Sequence, residues 1–279
     1  TIDGSYKSVT NKTVTTNKEC NLYNIKTFSY HPGIEMTDDH IVFCLENSLC
    51  DKSITEYFCN KDECSYREDK RCKSPSLNLD IKEKRADSLS LKDMLLYPVY
   101  KSNESYAFYE FGISEIIDED LLWLFGIYLA EGNIYPRVVE FTLHEDEEEY
   151  IQKIIRICKD KFNSDYSFRI LNGSKGFKLR IHSSVLSSLL FNIFGTGSEE
   201  KNLPSGCRDL PKNLKSSFLK GIFDGDGCKS NGKLTLVNKN IVKYYYDSMI
   251  SFGIVVSFSS TPEKIGNDGI KRKRTYSVY

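Results

Sequence analysis

Two stretches of this chain repeat one hydrophobic pattern: Leu124-Phe-Gly-Ile-Tyr-Leu-Ala-Glu-Gly132 and Leu219-Lys-Gly-Ile-Phe-Asp-Gly-Asp-Gly227. Each predicts an apolar helix with small residues four apart, closed by an acid and a glycine, the residue common just past a helix end. Side chains at i and i+4 stack, so Gly126 and Ala130 share one face and Gly221 and Gly225 another. Two such faces can pack backbone against backbone. The copies lie about 95 residues apart, and their downstream context recurs. After the first come an alternating strand at 137–143 and a polar, periodic helix at 145–158; after the second, a strand at 233–237 and a helix at 240–250. Residues 176–182 are matched in turn by 273–279. The repeated unit, helix, strand pair, helix, strand pair, predicts an α+β fold.

The repetition sets two carboxylates, Glu131 and Asp226, at equivalent helix ends. Carboxylates that close repel unless cations sit between them, and a divalent-metal site resolves the conflict. One copy alone would read as a capped core helix; two copies favour the metal reading.

At this point the chain resembles the LAGLIDADG homing endonucleases, in the form with two αββαββα repeats in one chain. The resemblance covers roughly residues 116–279, with repeats at about 116–210 and 211–279 in a domain spanning 113–279. It implies that Glu131 and Asp226 hold catalytic Mg²⁺, that the two repeats form a saddle along double-stranded DNA, and that a monomer cuts both strands of a long, asymmetric site. Lys201 matches the active-site lysine of one half, and Lys239 and His144 occupy the other polar positions near the metals. The first motif departs from the consensus at Leu129 and in carrying Glu131 rather than Asp. The second repeat ends before any counterpart of 183–204, so the chain is expected to be cut short and the partner of Lys201 to be missing.

Upstream, residues 22–42 read as two strands joined by the Pro32-Gly33 turn. Thr37-Asp-Asp-His40 then resembles the second conserved block of inteins and Hedgehog/intein modules, in which the Thr and His polarise the amide at the N-terminal splice junction. Residues 86–98 resemble the segment leading into an inserted endonuclease. The expected organisation is a mainly β intein-like segment at 1–112, flanked by a host protein. Thr1 is not the nucleophile that splicing chemistry needs, and no His-Asn pair closes the chain.

Five of the nine cysteines lie between Cys44 and Cys72 in a polar insertion at about 44–75. Cys50, Cys59, Cys64 and Cys72 could bind a structural Zn²⁺, but they lack tight C-x2-C knuckles. Reduced thiols and, last, disulfides are the other readings.

A net charge of −1 argues against DNA binding unless the charges are segregated. Lys175, Lys178 and Arg180, Lys229 and Lys233, and the run Lys271, Arg272, Lys273 and Arg274 all fall on the predicted sheet side. Those clusters could equally be solvated strand edges. The acidic run 145–149 opens a helix, where the dipole favours it.

With 40% apolar and 13% aromatic residues the chain can build cores, and its length fits two domains. No secretory signal or membrane-spanning apolar run is evident, so a soluble intracellular protein is expected. Two other functional classes stay open: a self-splicing intein with a degenerate endonuclease, and a non-cleaving nucleic-acid-binding relative. A calcium loop at 224–230 lacks the later acids it would need.

Overall fold

A computed structural model describes residues 21–27, 33–46, 81–90, 93–96, 117–170, 176–266 and 269–279. The chain divides into two compact units, residues 1–98 and 99–279. The expected boundary at residue 112, the cluster Cys50, Cys59, Cys64 and Cys72, and Lys175 lie outside the described residues.

In the first unit, β1 (Leu22–Ile25) pairs antiparallel with β2 (Ile34–Thr37), Ile25 opposite Ile34. Gly33 enters β2 at φ 99°, a left-handed conformation that glycine adopts without strain. β3 (Ile41–Glu46) is the middle strand of a second sheet, between β4 (Ile81–Arg85) and β5 (Asp93–Leu95). Cys44 on β3 is fully buried, and Lys84 pairs with Asp93 at 2.8 Å.

The second unit runs α1 (Glu119–Glu131), β6 (Gly132–Tyr135), β7 (Val138–His144), α2 (Glu148–Phe162), β8 (Asp165–Ile170), β9 (Gly176–His182) and α3 (Ser184–Phe194). The order then repeats with α4 (Lys212–Asp226), β10 (Gly227–Cys228), β11 (Lys233–Leu236), α5 (Lys239–Ser251) and β12 (Phe258–Thr261), a hairpin of β13 (Lys264–Ile265) with β14 (Lys271–Arg272), and β15 (Thr275–Val278). Both four-stranded sheets are antiparallel with one topology, β6-β7-β9-β8 and β10-β11-β15-β12.

Local chemistry sets the boundaries. Asp118 and Ser183 accept hydrogen bonds from Leu121 and Leu186 and cap α1 and α3. Asn163 ends α2 in the left-handed region, φ 46°. The acidic run splits: Glu148 and Glu149 occupy the first turn of α2, while Glu145 and Asp146 form the turn before it.

The segment matched to β9 departs from expectation. Only Thr275–Val278 joins the sheet; Lys271 and Arg272 form the separate hairpin, and Lys273 and Arg274 link the two. The run of four cations offers no apolar position to bury, whereas Tyr276 and Val278 alternate toward the core.

α1 is buried on all sides from Leu121 to Leu129, as expected of a central helix. Aromatic rings continue the core from the first repeat into the second: Phe125 meets Phe194 at 5.3 Å, Phe194 stacks on Phe218 at 6.1 Å, and Phe218 meets Tyr244 at 5.8 Å. No described helix is long and apolar enough to cross a membrane.

Candidate active site

α1 and α4 touch backbone to backbone. A Cβ on Gly126 would lie 2.2 Å from the Phe218 carbonyl oxygen, and one on Gly221 would lie 2.1 Å from that of Trp123. One turn further, a Cβ on Gly225 would sit 2.4 Å from that of Ala130 and 3.3 Å from Cγ of Glu131. The helices therefore run in register, and Glu131 reaches the end of α4 where Asp226 stands.

Both carboxylates are half-buried, and neither has a hydrogen-bond or ion-pair partner among the described residues. Burial pushes the Glu131 carboxyl up to about 8; Asp226 and Glu147 add to the shift and Lys201 opposes it. Burial likewise raises Asp226 to about 6, with Lys201 opposing and Glu147 adding. Two acids held in a half-dry seam by packed helices, with no cationic side chain bonded to either among the described residues, favour a positive ligand.

Lys201 is 2% exposed and does not project into the seam. Its ammonium donates to the carbonyls of Tyr128 (2.6 Å), Leu129 (3.1 Å) and Gly132 (2.6 Å), capping the C-terminal end of α1, and lies 4.5 Å from the Tyr128 ring centroid. Burial lowers it to about 8 while Asp226 and Glu131 pull it back up. Its three donors are used on backbone, so it reaches the acids through its field.

Lys239 is exposed at the first position of α5. His144 pairs with Asp146 (Nδ1 to Oδ2, 3.2 Å) in the turn before α2. Two residues that the sequence reading passed over are better placed. Glu147 accepts the backbone N–H of His144 at 2.8 Å, and its charge is felt by both seam acids. Asn238 bonds to the segment carrying Lys201. Its signal was a helix-capping Asn one position before the lysine that drew attention. Asp224, two residues from Asp226, is consumed structurally: the Trp123 indole donates to it at 2.7 Å, the Tyr150 hydroxyl at 3.0 Å, and Lys220 pairs with it. It lies on α4 with Asp226, so these acids do not form a calcium loop.

Strand alternation gives each sheet a face opposite its core. In the first sheet that face carries Glu140, Thr142, Lys178, Arg180 and His182. Glu140 is 2% exposed; it pairs with Lys178, and Arg180 donates to it at 2.8 Å. Burial alone would raise the Glu140 carboxyl, but those bonds outweigh it and hold it below the usual range. Two of the expected DNA-facing cations are thus engaged by an internal acid. The equivalent face of the second sheet is rich in hydroxyls, with Thr235 and Ser277 bonded at 2.9 Å and Lys233 beside them. Lys229 lies over the Tyr150 ring of α2 at 4.9 Å, Lys271 pairs with Glu263 at 3.2 Å, and Lys273 pairs with Glu199. In the first unit Thr37 ends β2 and donates to Asp39 at 2.6 Å, while His40 is exposed just before β3.

No known family model matches the chain. A stretch of 113 residues, 40% of the chain, is 34% identical to part of the DNA-directed RNA polymerase subunit Rpo1C of Methanocaldococcus jannaschii, covering 13% of that protein. Another of 124 residues is 32% identical to part of the replication factor C small subunit of the same organism, over 39% of this chain and 7% of that protein. The chain thus spans a small fraction of the length of these curated relatives. Among solved structures, mesophilic variants of the homing endonuclease I-DmoI are similar with a TM-score of 0.40 and 16% identity, over 57% of this chain and 87% of that one.

Proposed function

We propose that residues 113–279 form a divalent-metal-dependent, site-specific DNA endonuclease of the LAGLIDADG homing type, with Glu131 and Asp226 as its metal ligands. One observation carries the reading: half-buried carboxylates stand at the matching ends of the two glycine-packed helices, the charge of Asp226 is felt by Glu131, and neither acid has a hydrogen-bond or ion-pair partner among the described residues. The donor set suits Mg²⁺. Mg²⁺ is characteristically held by one or two carboxylates, with waters and substrate phosphates completing its shell. When bound, such an ion activates water and stabilises the leaving oxygen of a phosphodiester. The chain's own part is to fix the two acids through the α1–α4 contact, to hold the Lys201 charge beside them, and to keep the seam partly dry.

In this reading the DNA contacts come from Lys178, Arg180 and Lys233 on the sheet faces and from Lys229 and Lys271 to Arg274 in the turns and hairpin beside them, and Lys239 and His144 are assigned to the periphery of the reaction centre. The two faces differ, ion pairs in one half and hydroxyls in the other, which supports an asymmetric target.

Similar segments occupy small parts of a polymerase subunit and a replication-factor subunit. That supports an inserted module carried by hosts with unrelated tasks, and we read residues 1–112 as its intein-like part, with Thr37 and His40 as the junction-polarising pair.

The test is incubation with Mg²⁺ and a randomised duplex library, followed by sequencing of the cut ends. Wild type is expected to enrich one long site, while Glu131→Gln and Asp226→Asn bind that site without cutting it. A folded wild type that binds duplex DNA and never cuts in Mg²⁺ or Mn²⁺ overturns the proposal.

A further inference from the structure

Lys201 belongs to the last segment of the first repeat, yet the side chain that holds this segment comes from the second. Asn238 is 5% exposed. Its Oδ1 accepts the N–H groups of Asn240 (3.0 Å) and Ile241 (3.2 Å), capping α5, and its Nδ2 donates to the carbonyls of Glu199 (3.1 Å) and Lys201 (2.8 Å). Both amide hydrogens and both carbonyl lone pairs are therefore used. Ser or Asp would serve the cap equally well. Only an amide can cap the helix and also strap residues 199–201.

The strap leads to the acid pair through a short series of bonds. Lys201 donates to the carbonyls of Tyr128, Leu129 and Gly132, which surround Glu131 in the chain. The Gly132 N–H bonds back to the Tyr128 carbonyl. The last turn of α1 is thus pinned from outside by a lysine whose own backbone is pinned by Asn238. Asp226 reaches the seam from α4, the helix after which β10, β11 and Asn238 follow.

We propose that Asn238 is a positioning residue for the acidic pair: by strapping residues 199–201 it fixes Lys201 against the end of α1 and so fixes Glu131 opposite Asp226. This deepens the endonuclease reading and rests on it for the identity of the bound ion. The placement of one half's ligand then depends on the other half's helix cap.

The experiment uses the full chain with Asn238→Ser and Asn238→Asp, both of which keep the α5 cap. Mn²⁺ alone is titrated by electron paramagnetic resonance, and backbone amide exchange is followed in the same proteins. Loss of a group bonded directly to a metal ligand weakens metal binding by about tenfold or more. Asn238 acts one step further out, through Lys201 and the end of α1, so a weakening of up to about tenfold is expected in both variants, together with faster exchange of the Gly132 amide and unchanged exchange in the first turn of α5. Asn238→Asp adds a negative charge, which by itself would tighten Mn²⁺ binding, so weaker binding in that variant separates positioning from a simple charge effect. Wild-type Mn²⁺ affinity and wild-type Gly132 exchange in folded variants overturn the proposal, as does failure of both variants to fold, which would make Asn238 a structural residue. A wild type that holds no Mn²⁺ sinks the endonuclease reading instead, and Gly132 exchange then decides the strap by itself.

Discussion

Gly126 of α1 and Gly221 of α4 face each other so closely that a Cβ on Gly126 would come within 2.8 Å of the Gly221 Cα. In either direction the added atom would meet backbone of the facing helix, which cannot rotate away. Gly126→Ala and Gly221→Ala should each destabilise the second unit by about 3 kcal/mol, read from the midpoint of chemical denaturation. A wild-type midpoint would mean that the helices separate at little cost.

Glu131 and Asp226 tie stability to pH in a direction opposite to most surface acids. Their folded pKa values, about 8 and about 6, lie above the ordinary carboxyl values of 4.5 and 3.8. The folded state therefore holds extra protons in these windows. Metal-free protein should lose stability as pH rises from about 4 to about 8, by roughly 1–2 kcal/mol once solvent screening is allowed for. Glu131→Gln should flatten the fall in a thermal melt series.

Divalent metal should reverse that loss. Mg²⁺ that binds only the folded pair raises the unfolding midpoint by mass action, more at pH 8 than at pH 6 because the ligands must first lose their protons. The double variant Glu131→Gln, Asp226→Asn should not respond. Calorimetry in buffers of different ionisation enthalpy should detect proton release in wild type.

Glu140 governs how many cations the first sheet offers to DNA. Replacing it by Gln removes the acid that engages Lys178 and Arg180. Non-specific duplex affinity should rise at low salt, and the slope of log affinity against log salt should steepen by about one for each cation that turns to phosphate. An unchanged slope would mean that this face does not meet the duplex.

The Trp123 indole N–H is one of two buried donors that hold Asp224, the Tyr150 hydroxyl being the other. Trp123→Phe keeps the ring in the core but leaves Asp224 with Tyr150 and Lys220, at an expected loss of about 1–3 kcal/mol. Chemical denaturation measures it, and a larger cost would assign Trp123 a packing role beyond its hydrogen bond.

The helix pair was legible because small residues four apart, twice over, leave few alternatives to a close crossing, and the strands followed from alternation. Side-chain partnerships across elements were less visible. That Lys178 and Arg180 spend their charge on Glu140 depends on the register that sets Glu140 opposite Arg180. Lys201 stood out as a basic residue in the right stretch, but whether its ammonium met water or helix carbonyls depended on the path of residues 195–202. Analogy with the first copy puts the run 271–274 in the sheet, but the separate hairpin that holds its first half has no counterpart there.

α1 is apolar on every side, and its small-residue stripe is covered by the backbone of α4 around Gly221 and Gly225. Neither half therefore owns a finished interior. A fragment carrying one copy would leave Gly126 and Ala130, or Gly221 and Gly225, facing water beside uncovered leucines, and would pair with any chain offering a like stripe. The tether between the copies thus acts as a matchmaker, guaranteeing unlike mates where a lone copy would settle for its twin.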